Sequence, residues 1–280
     1  MKKDQRKKSV FNKFLSVFAF IWGIITILPL FTTILSSFKS NTEIFSNMLS
    51  LPQRWLIQNY YDALFGANIL RSVINSMILG IGTVLLVIVV SLLAAYIFSR
   101  KTHFFVKPIY FLFLAGMLLP IHSALVPLAK IAAGFRLIDS YPYIIALYAA
   151  FQLPQATFLA TGYLNSIPRE LDEAATIDGC SMFGILYHVL FPVCVPIIST
   201  ISVLSFVYGY SELIFSIIFL TDRNRFPVSR ALMFFTGERV TRMGPVFAAI
   251  IIAVIPMIIL YILFHEKVQK GMVAGAISSS

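Results

Sequence analysis

Long apolar stretches dominate this chain, and six of them contain no Lys, Arg, Asp or Glu. Each stretch is long enough for the roughly 20 residues that a helix needs to cross the hydrocarbon core of a bilayer. Continuous apolar runs of this length predict membrane-spanning helices rather than the amphipathic helices of a soluble domain. We therefore predict an all-α, polytopic membrane protein with a single transmembrane domain over residues 1–280. The six helices are expected at residues 14–38, 72–99, 108–129, 140–164, 191–220 and 243–265.

A polar segment at residues 165–191 interrupts the apolar second half of the chain. Ser166 is a suitable N-cap for a short helix, and Gly179 is the usual kind of residue to end it. Arg169 and Glu173 stand four residues apart on this helix, where opposite charges attract. A second amphipathic helix follows, and neither helix is long enough to span a bilayer. The acidic residues Glu170, Asp172, Glu173 and Asp178 favour a docking site for a partner.

Composition narrows the class of protein further. Hydrophobic residues make up 59% of the 280 residues, and the mean hydropathy is +0.87. The chain is therefore far more apolar than a soluble domain of this length. The net charge of +10 does not indicate nucleic acid, because the basic residues lie between apolar runs and no aromatic and basic residues interleave. Membrane lipid headgroups are the expected partner for these charges.

The basic residues also predict an orientation. Six of them precede the first apolar run, and such clusters stay in the cytoplasm. With six spans, both termini and the segment 165–191 are then cytoplasmic. Five arginines in the outer segment 223–242 would meet an anionic ligand or an acidic partner, or would simply be solvated. The N-terminal cluster comprises Lys2, Lys3, Arg6, Lys7, Lys8 and Lys13.

The polar segment carries a recognisable motif. Glu173-Ala174-Ala175, three residues, Gly179, nine residues and Val189-Leu190-Phe191-Pro192 resemble the signature loop of the permeases of ATP-binding-cassette (ABC) importers. Val189 and Phe191 replace the Ile and Leu of the family pattern. The alternative is an ordinary amphipathic connector that matches this pattern by chance.

The resemblance implies what the segment does. In that family it is a coupling helix that sits in a cleft of a cytoplasmic ATPase. Glu173 would make a charge contact with the ATPase, Ala174 and Ala175 would pack closely against it, and Gly179 would form the turn. The same motif adds two further coupling residues, Asp178 and Pro192.

Weaker landmarks along the chain resemble the sugar-uptake branch of these permeases. The branch implies a MetI-like permease fold in a bacterial plasma membrane, a second and different permease chain, two ATPases and an extracytoplasmic sugar-binding protein. Two departures stand out: Tyr210-Ser211-Glu212 replaces Trp-Asn-Glu, and the tail lacks a lysine after Ser278. The landmarks are Asn59-Tyr60, Asn75-Ser76, residues 94–100, Pro120, Pro127, Gln269, Gly271 and Gly275-Ala276.

The chain lacks sequence signals for chemistry of its own. It has no Gly-x-x-x-x-Gly-Lys-Ser/Thr for phosphate binding, so ATP and magnesium are expected in partner subunits and not here. Its four histidines are scattered, and no serine lies in a nucleophile-elbow sequence. Cys180, Cys194 and His188 fit no zinc pattern. We therefore expect neither an enzyme nor a metal site.

Polar residues within the spans are candidates for a solute path, either in this chain or in its partner. An ionised Glu212 at mid-span would cost about 3 kcal/mol, so it would bind sugar hydroxyls, lock two helices together, or lie near the outer interface. Interhelical hydrogen bonds are the alternative use for the others. Two other functions are alternatives to an ABC permease: an ion-coupled secondary transporter of a small polar solute, and a membrane assembly factor. The remaining candidates are Tyr210, Tyr208, Gln152, Gln155, Asn75 and His122.

Overall fold

The computed structural model describes residues 2–66, 68–237 and 242–277, with side chains at 13, 15–66, 68–233 and 242–265. Helices account for its regular structure, and no strand occurs in these ranges. The chain divides into two compact units, residues 1–70 with 232–254 and residues 71–231 with 255–280. The tail landmarks from Gln269 onward have no described side chains. The helices are α1 (Lys2–Ser37), α2 (Asn41–Ser46), α3 (Gln58–Tyr61), α4 (Ile69–Arg100), α5 (Val106–Ala115), α6 (Leu125–Gly134), α7 (Tyr141–Asn165), α8 (Glu170–Ile177), α9 (Met182–Gly184), α10 (Phe191–Val193), α11 (Val195–Ser211), α12 (Ile214–Phe219), α13 (Val228–Gly237) and α14 (Met243–Ile277).

Four helices are long and apolar enough to cross a bilayer unbroken: Leu15–Ser37, Ile69–Arg100, Tyr141–Asn165 and Met243–His265. Two bent helix pairs are apolar enough to form either a broken span or a re-entrant loop. Residues 106–118 and 121–134 meet at 94°, and residues 182–193 and 195–211 meet at 82°. Counting each bent pair as one span gives six, in an all-α membrane fold.

Prolines cause both bends. Pro120 and the preceding Leu119 are extended, with ψ of 115° and 127°, because a residue before proline avoids the helical region. Pro196 lacks an N–H and its ring would clash with the carbonyl of Pro192 four residues earlier. The predicted helix over 191–220 is therefore interrupted at Cys194, and it ends at Ser211 because Glu212 is extended.

The unit formed by residues 1–70 and 232–254 is built around a buried lysine. Lys39 is fully buried, and its ammonium donates to the carbonyls of Asn47 at 3.1 Å and Met48 at 2.9 Å. The Asn59 side-chain amide donates to the carbonyls of Ser37 and Lys39, each at 3.0 Å. A buried charge needs such acceptors. Asn59, a family landmark in the sequence, thus holds the chain after the first span in place.

The unit formed by residues 71–231 and 255–280 has its main apolar core where α4, α7 and α11 meet. Alanines on α4 and α7 allow close helix approach, as small residues do in membrane proteins. The segment 165–191 is rooted in this core by Ile167, Ala175, Ile185 and Leu190, each at most 7% exposed. The root fixes the segment against the membrane helices.

Candidate functional site

Helix α8 is the first part of the predicted docking segment. It begins at Glu170, and Arg169 is its N-cap without a side-chain cap bond. The predicted Ser166 cap is not formed, because the Ser166 hydroxyl donates to the Tyr163 carbonyl at 2.7 Å. Glu170, Asp172 and Glu173 lie in the first turn instead, where carboxylates stabilise the positive end of the helix dipole.

Gly179 ends α8 in the way that the sequence predicts. Its φ is +82°, which L side chains rarely adopt. The Gly179 N–H donates to the Thr176 carbonyl at 3.0 Å, and the Cys180 N–H donates to the Ala175 carbonyl at 2.9 Å. This is the Schellman pattern of helix ends. The Ser181 hydroxyl then accepts from the Gly184 N–H and starts the second short helix.

An ion pair that the sequence did not indicate fixes α8. Arg100 Nε lies 2.7 Å from Asp172 Oδ2, with the two side chains 7% and 13% exposed. Arg100 also donates from Nη1 to the Leu164 carbonyl at 3.0 Å. Instead of the predicted partner Glu173, Arg169 donates to the Ser99 carbonyl at 3.0 Å. Partners 72 residues apart leave no periodic signal in a sequence.

The outer face of the segment combines acidic and large apolar side chains. Glu173, Ala174 and Asp178 are exposed, as docking residues would be, whereas Ala175 is buried in the core and cannot pack against a partner. Pro192 is exposed in α10 at the bend. Three large apolar side chains in the segment, which the sequence did not single out, are also strongly exposed: Ile177 at 86%, Phe183 at 72% and Tyr187 at 70%.

Glu212 lies at the break that ends the fifth span. Its carboxylate accepts from the backbone N–H groups of Ile214 at 2.8 Å and Phe215 at 3.0 Å, and from the Tyr148 hydroxyl at 3.1 Å. The side chain is therefore the N-cap partner of α12 and a link to α7. Arg230 donates to the carbonyls at the other end of α12. Charges at both ends stabilise this short helix through its dipole.

The aromatic and amide candidates fall into two groups. Asn75 and Tyr210 are buried, and the Asn75 amide donates to the carbonyls of Asn224 and Phe226. Tyr208 packs edge-on against Tyr148 at 5.7 Å, and its buried hydroxyl forms no hydrogen bond within the described residues. The structure thus brings Tyr208 and Glu212 together around Tyr148.

The other polar candidates are more accessible. Gln155 and His122 are exposed and Gln152 is half-buried. The His122 ring lies 6.0 Å from that of Phe215, which joins it to the Glu212 neighbourhood. Within the described residues, no group of three His, Cys, Asp or Glu side chains is placed to bind a metal ion.

Asp139, two residues before α7, holds the beginning of the arginine-rich segment through Thr221, Asp222 and Arg225. The Asp139 carboxylate accepts from the Thr221 N–H at 2.6 Å, the Thr221 hydroxyl at 2.5 Å and the Asp222 N–H at 3.0 Å. Burial acts to raise the pKa of Asp139, but these hydrogen bonds and the nearby Arg225 outweigh it and hold that pKa below its ordinary value. Arg239 lies outside the described residues.

Comparison with known proteins now identifies the family. The inner-membrane component of binding-protein-dependent transport systems matches residues 87–273, more than half of the chain. The chain belongs to this family. It is a transport-system permease, a multi-pass membrane protein and the membrane component of an ABC transporter. The family resemblance drawn from residues 173–192 is confirmed. This assignment replaces the alternative of an ion-coupled secondary transporter.

Two relatives and one solved structure resemble the permease over nearly its whole length. The diacetylchitobiose uptake system permease protein NgcG of Streptomyces coelicolor is 30% identical, over 91% of this chain and 85% of its own. The melibiose/raffinose/stachyose import permease protein MelC of Bacillus subtilis is 29% identical, over 97% and 98%. A chain of a bacterial ABC transporter involved in the import of the acidic polysaccharide alginate has a TM-score of 0.80, with 21% identity over 93% and 97%. The last likeness concerns the fold alone.

Proposed function

We propose that this permease carries a sugar across a bacterial plasma membrane as one half of a two-chain pore. The segment 165–191 would dock on cytoplasmic ATPases that hold ATP and magnesium, since this chain has no phosphate-binding sequence. A second, different permease chain, two ATPase subunits and an extracytoplasmic sugar-binding protein would complete the importer. Both termini would be cytoplasmic, as the N-terminal lysine cluster favours.

The observation that carries the docking proposal is the exposure of Ile177 and Phe183. Isolated large apolar side chains at the surface are common, but here two lie on short helices beside Glu173 and Asp178 in a segment rooted in the core. Exposed apolar side chains within a polar rim are typical of protein interfaces. Helix α8 has eight residues, too few to span a bilayer, and three of them are acidic. A protein partner accounts for it.

A sugar is the proposed solute because both curated relatives are named for the uptake of oligosaccharides. Sugars are held through hydroxyl hydrogen bonds and aromatic faces. The accessible candidates Gln152, Gln155 and His122 would offer the former, and Tyr208 the latter. Asn75, Tyr210 and Glu212 would serve the path indirectly, since their polar atoms or rings are buried in structural contacts.

The docking proposal is tested by purifying the tagged chain from its native membranes in a mild detergent. The unaltered chain should bring down a second permease and a protein with the phosphate-binding sequence of an ATPase, identified by mass spectrometry. The Ile177→Arg/Phe183→Arg variant should lose at least nine-tenths of the ATPase and keep the second permease. Phe135→Arg is the matched control, since Phe135 is 76% exposed but lies far along the chain from the segment.

Two results would contradict the proposal. One is an unaltered chain that retains its permease partner but no ATPase. The other is equal loss of ATPase in the Phe135→Arg control. Uptake of a panel of radiolabelled di- and trisaccharides by cells with and without the chain would test the solute class separately, and uptake of none of them would remove the sugar assignment while leaving the docking result intact.

A further inference from the structure

Three helix ends meet at Arg100 in the unit of residues 71–231 and 255–280. Arg100 is the last residue of α4, its Nη1 donates to the Leu164 carbonyl near the end of α7, and its Nε binds Asp172 in the first turn of α8. The contact is reciprocal, because Arg169, just before α8, donates back to the Ser99 carbonyl at the end of α4. The carbonyls of a last helical turn lack i+4 partners within the helix, and Arg169 supplies a donor to that of Ser99. Arg100 adds a second donor to the Leu164 carbonyl, which also accepts from the Ile167 N–H at 3.2 Å.

Apolar packing holds α8 only weakly. Of its eight residues, all of which the structure describes, Ala175 is the only one that is buried. One methyl group in the core can anchor a helix at a point but cannot fix its direction. The Arg100–Asp172 pair, by contrast, is directional and almost solvent-free, with side chains 7% and 13% exposed. The orientation of α8 relative to α4 and α7 therefore depends on this pair.

Stability alone is a poor reason for such a pair. Two charges lose their hydration when buried, and apolar residues of similar volume often stabilise a protein equally well or better. A pair of apolar residues at this point would not supply the directional bonds by which the Arg100 guanidinium joins the ends of α4, α7 and α8. Resting on the proposed docking of an ATPase at α8, we infer that Arg100 is a positioning residue that makes α8 and the ends of α4 and α7 move together. A displacement of α8 is thereby transmitted to the membrane helices.

The test measures transmission separately from docking, with MgATP and vanadate as the probes. The parent chain carries Cys180→Ser, Cys194→Ala and a reporter, Gln155→Cys on α7, and is reconstituted as the full complex. The rate at which a water-soluble maleimide labels the reporter is measured with and without the probes. In the parent, the probes should change this rate at least five-fold.

The decisive variant is Arg100→Met/Asp172→Leu, which removes both charges together and leaves neither unpaired. Asp172 faces Arg100 and not the docking surface predicted for it from the sequence, so the variant should retain ATPase and basal ATP hydrolysis within two-fold of the parent. Its labelling rate should nevertheless change less than 1.5-fold. Arg100→Lys keeps the charge but loses the planar two-point contact, so its response should fall to an intermediate value. The exposed pair in Arg242→Met/Asp62→Leu is the matched control and should respond like the parent.

The outcomes separate this inference from the proposed function. If the parent binds no ATPase, the docking proposal itself fails. If the parent binds ATPase and responds, but Arg100→Met/Asp172→Leu and Arg100→Lys respond equally well, the positioning role of Arg100 is wrong. A parent that binds ATPase yet shows no response to MgATP and vanadate also overturns it, because nothing is then transmitted from α8 to α7.

Discussion

The Tyr148 hydroxyl donates to Oε2 of Glu212 at 3.1 Å, and this bond joins the middle of α7 to the residue at which the fifth span breaks. Glu212 uses its remaining acceptor capacity on the first two N–H groups of α12. Of the uses that the sequence left open for this carboxylate, the lock between helices matches these contacts. With three donors already bound and the residue only 9% exposed, this carboxylate offers little room for a sugar hydroxyl.

Replacing Glu212 should therefore affect stability before it affects solute choice. Hydrogen bonds to a charged group contribute about 1.5–3 kcal/mol, so we expect Glu212→Ala to lower the unfolding free energy by about 2–4 kcal/mol, because Ile214, Phe215 and Tyr148 all lose their acceptor. Tyr148→Phe removes one donor and should cost about 1 kcal/mol. Thermal unfolding of the purified chain in detergent measures both. If Glu212→Ala melted at the same temperature as the unaltered chain, the structural role of Glu212 would be wrong and a role in the solute path would be favoured instead.

Gly179 offers a prediction about the docking segment. No side chain or backbone atom lies within 4 Å of a Cβ built on Gly179, so space is not the constraint, but its φ is +82°. We expect Gly179→Ala to destabilise the end of α8 by about 1–2 kcal/mol through backbone strain and to weaken ATPase retention in the pull-down.

Gly162→Ala is the control for that substitution. Gly162 is also free of neighbours within 4 Å and lies inside α7 without a positive φ. Alanine is favoured over glycine in a helix by about 1 kcal/mol, so this variant should be neutral or more stable. If both variants behave alike, the strain argument at Gly179 is wrong.

Gly244 is required for a different reason, close approach within the unit of residues 1–70 and 232–254. A Cβ at Gly244 would lie 2.4 Å from Asn59 Nδ2 and 2.6 Å from the Lys39 carbonyl oxygen. Gly244→Ala should break the Asn59 hydrogen bonds and expose the buried Lys39, with a loss of about 2–4 kcal/mol. The yield of folded protein in membranes and the melting temperature report it. Gly23→Ala, where the added methyl meets nothing within 4 Å, should match the unaltered chain.

The sequence predicted the membrane helices well because burial in lipid requires a run of apolar residues, which is visible locally. The segment 165–191 was equally visible, as a polar and acidic interruption with a glycine at the end of its first helix. It was harder to predict which residues of the segment face the core. Ala174 and Ala175 are identical neighbours in the sequence, but only Ala175 is buried. Arg100 and Asp172 could not be paired, because the contact depends on where two distant helix ends meet.

Asp139 gives the last prediction, on pH. Its folded-state pKa is lowered, below an unfolded value of about 3.9, so its ionised form contributes stability that is fully present above about pH 5 and is lost as the pH falls through 4 towards the folded-state pKa. Asp139→Asn should lower the melting temperature at pH 7, and the difference from the unaltered chain should shrink by pH 3. Thr221→Val, which removes one donor to the same carboxylate, should follow the same trend with a smaller amplitude. A difference that stays constant between pH 7 and pH 3 would mean that the charge of Asp139 does not order the arginine-rich segment.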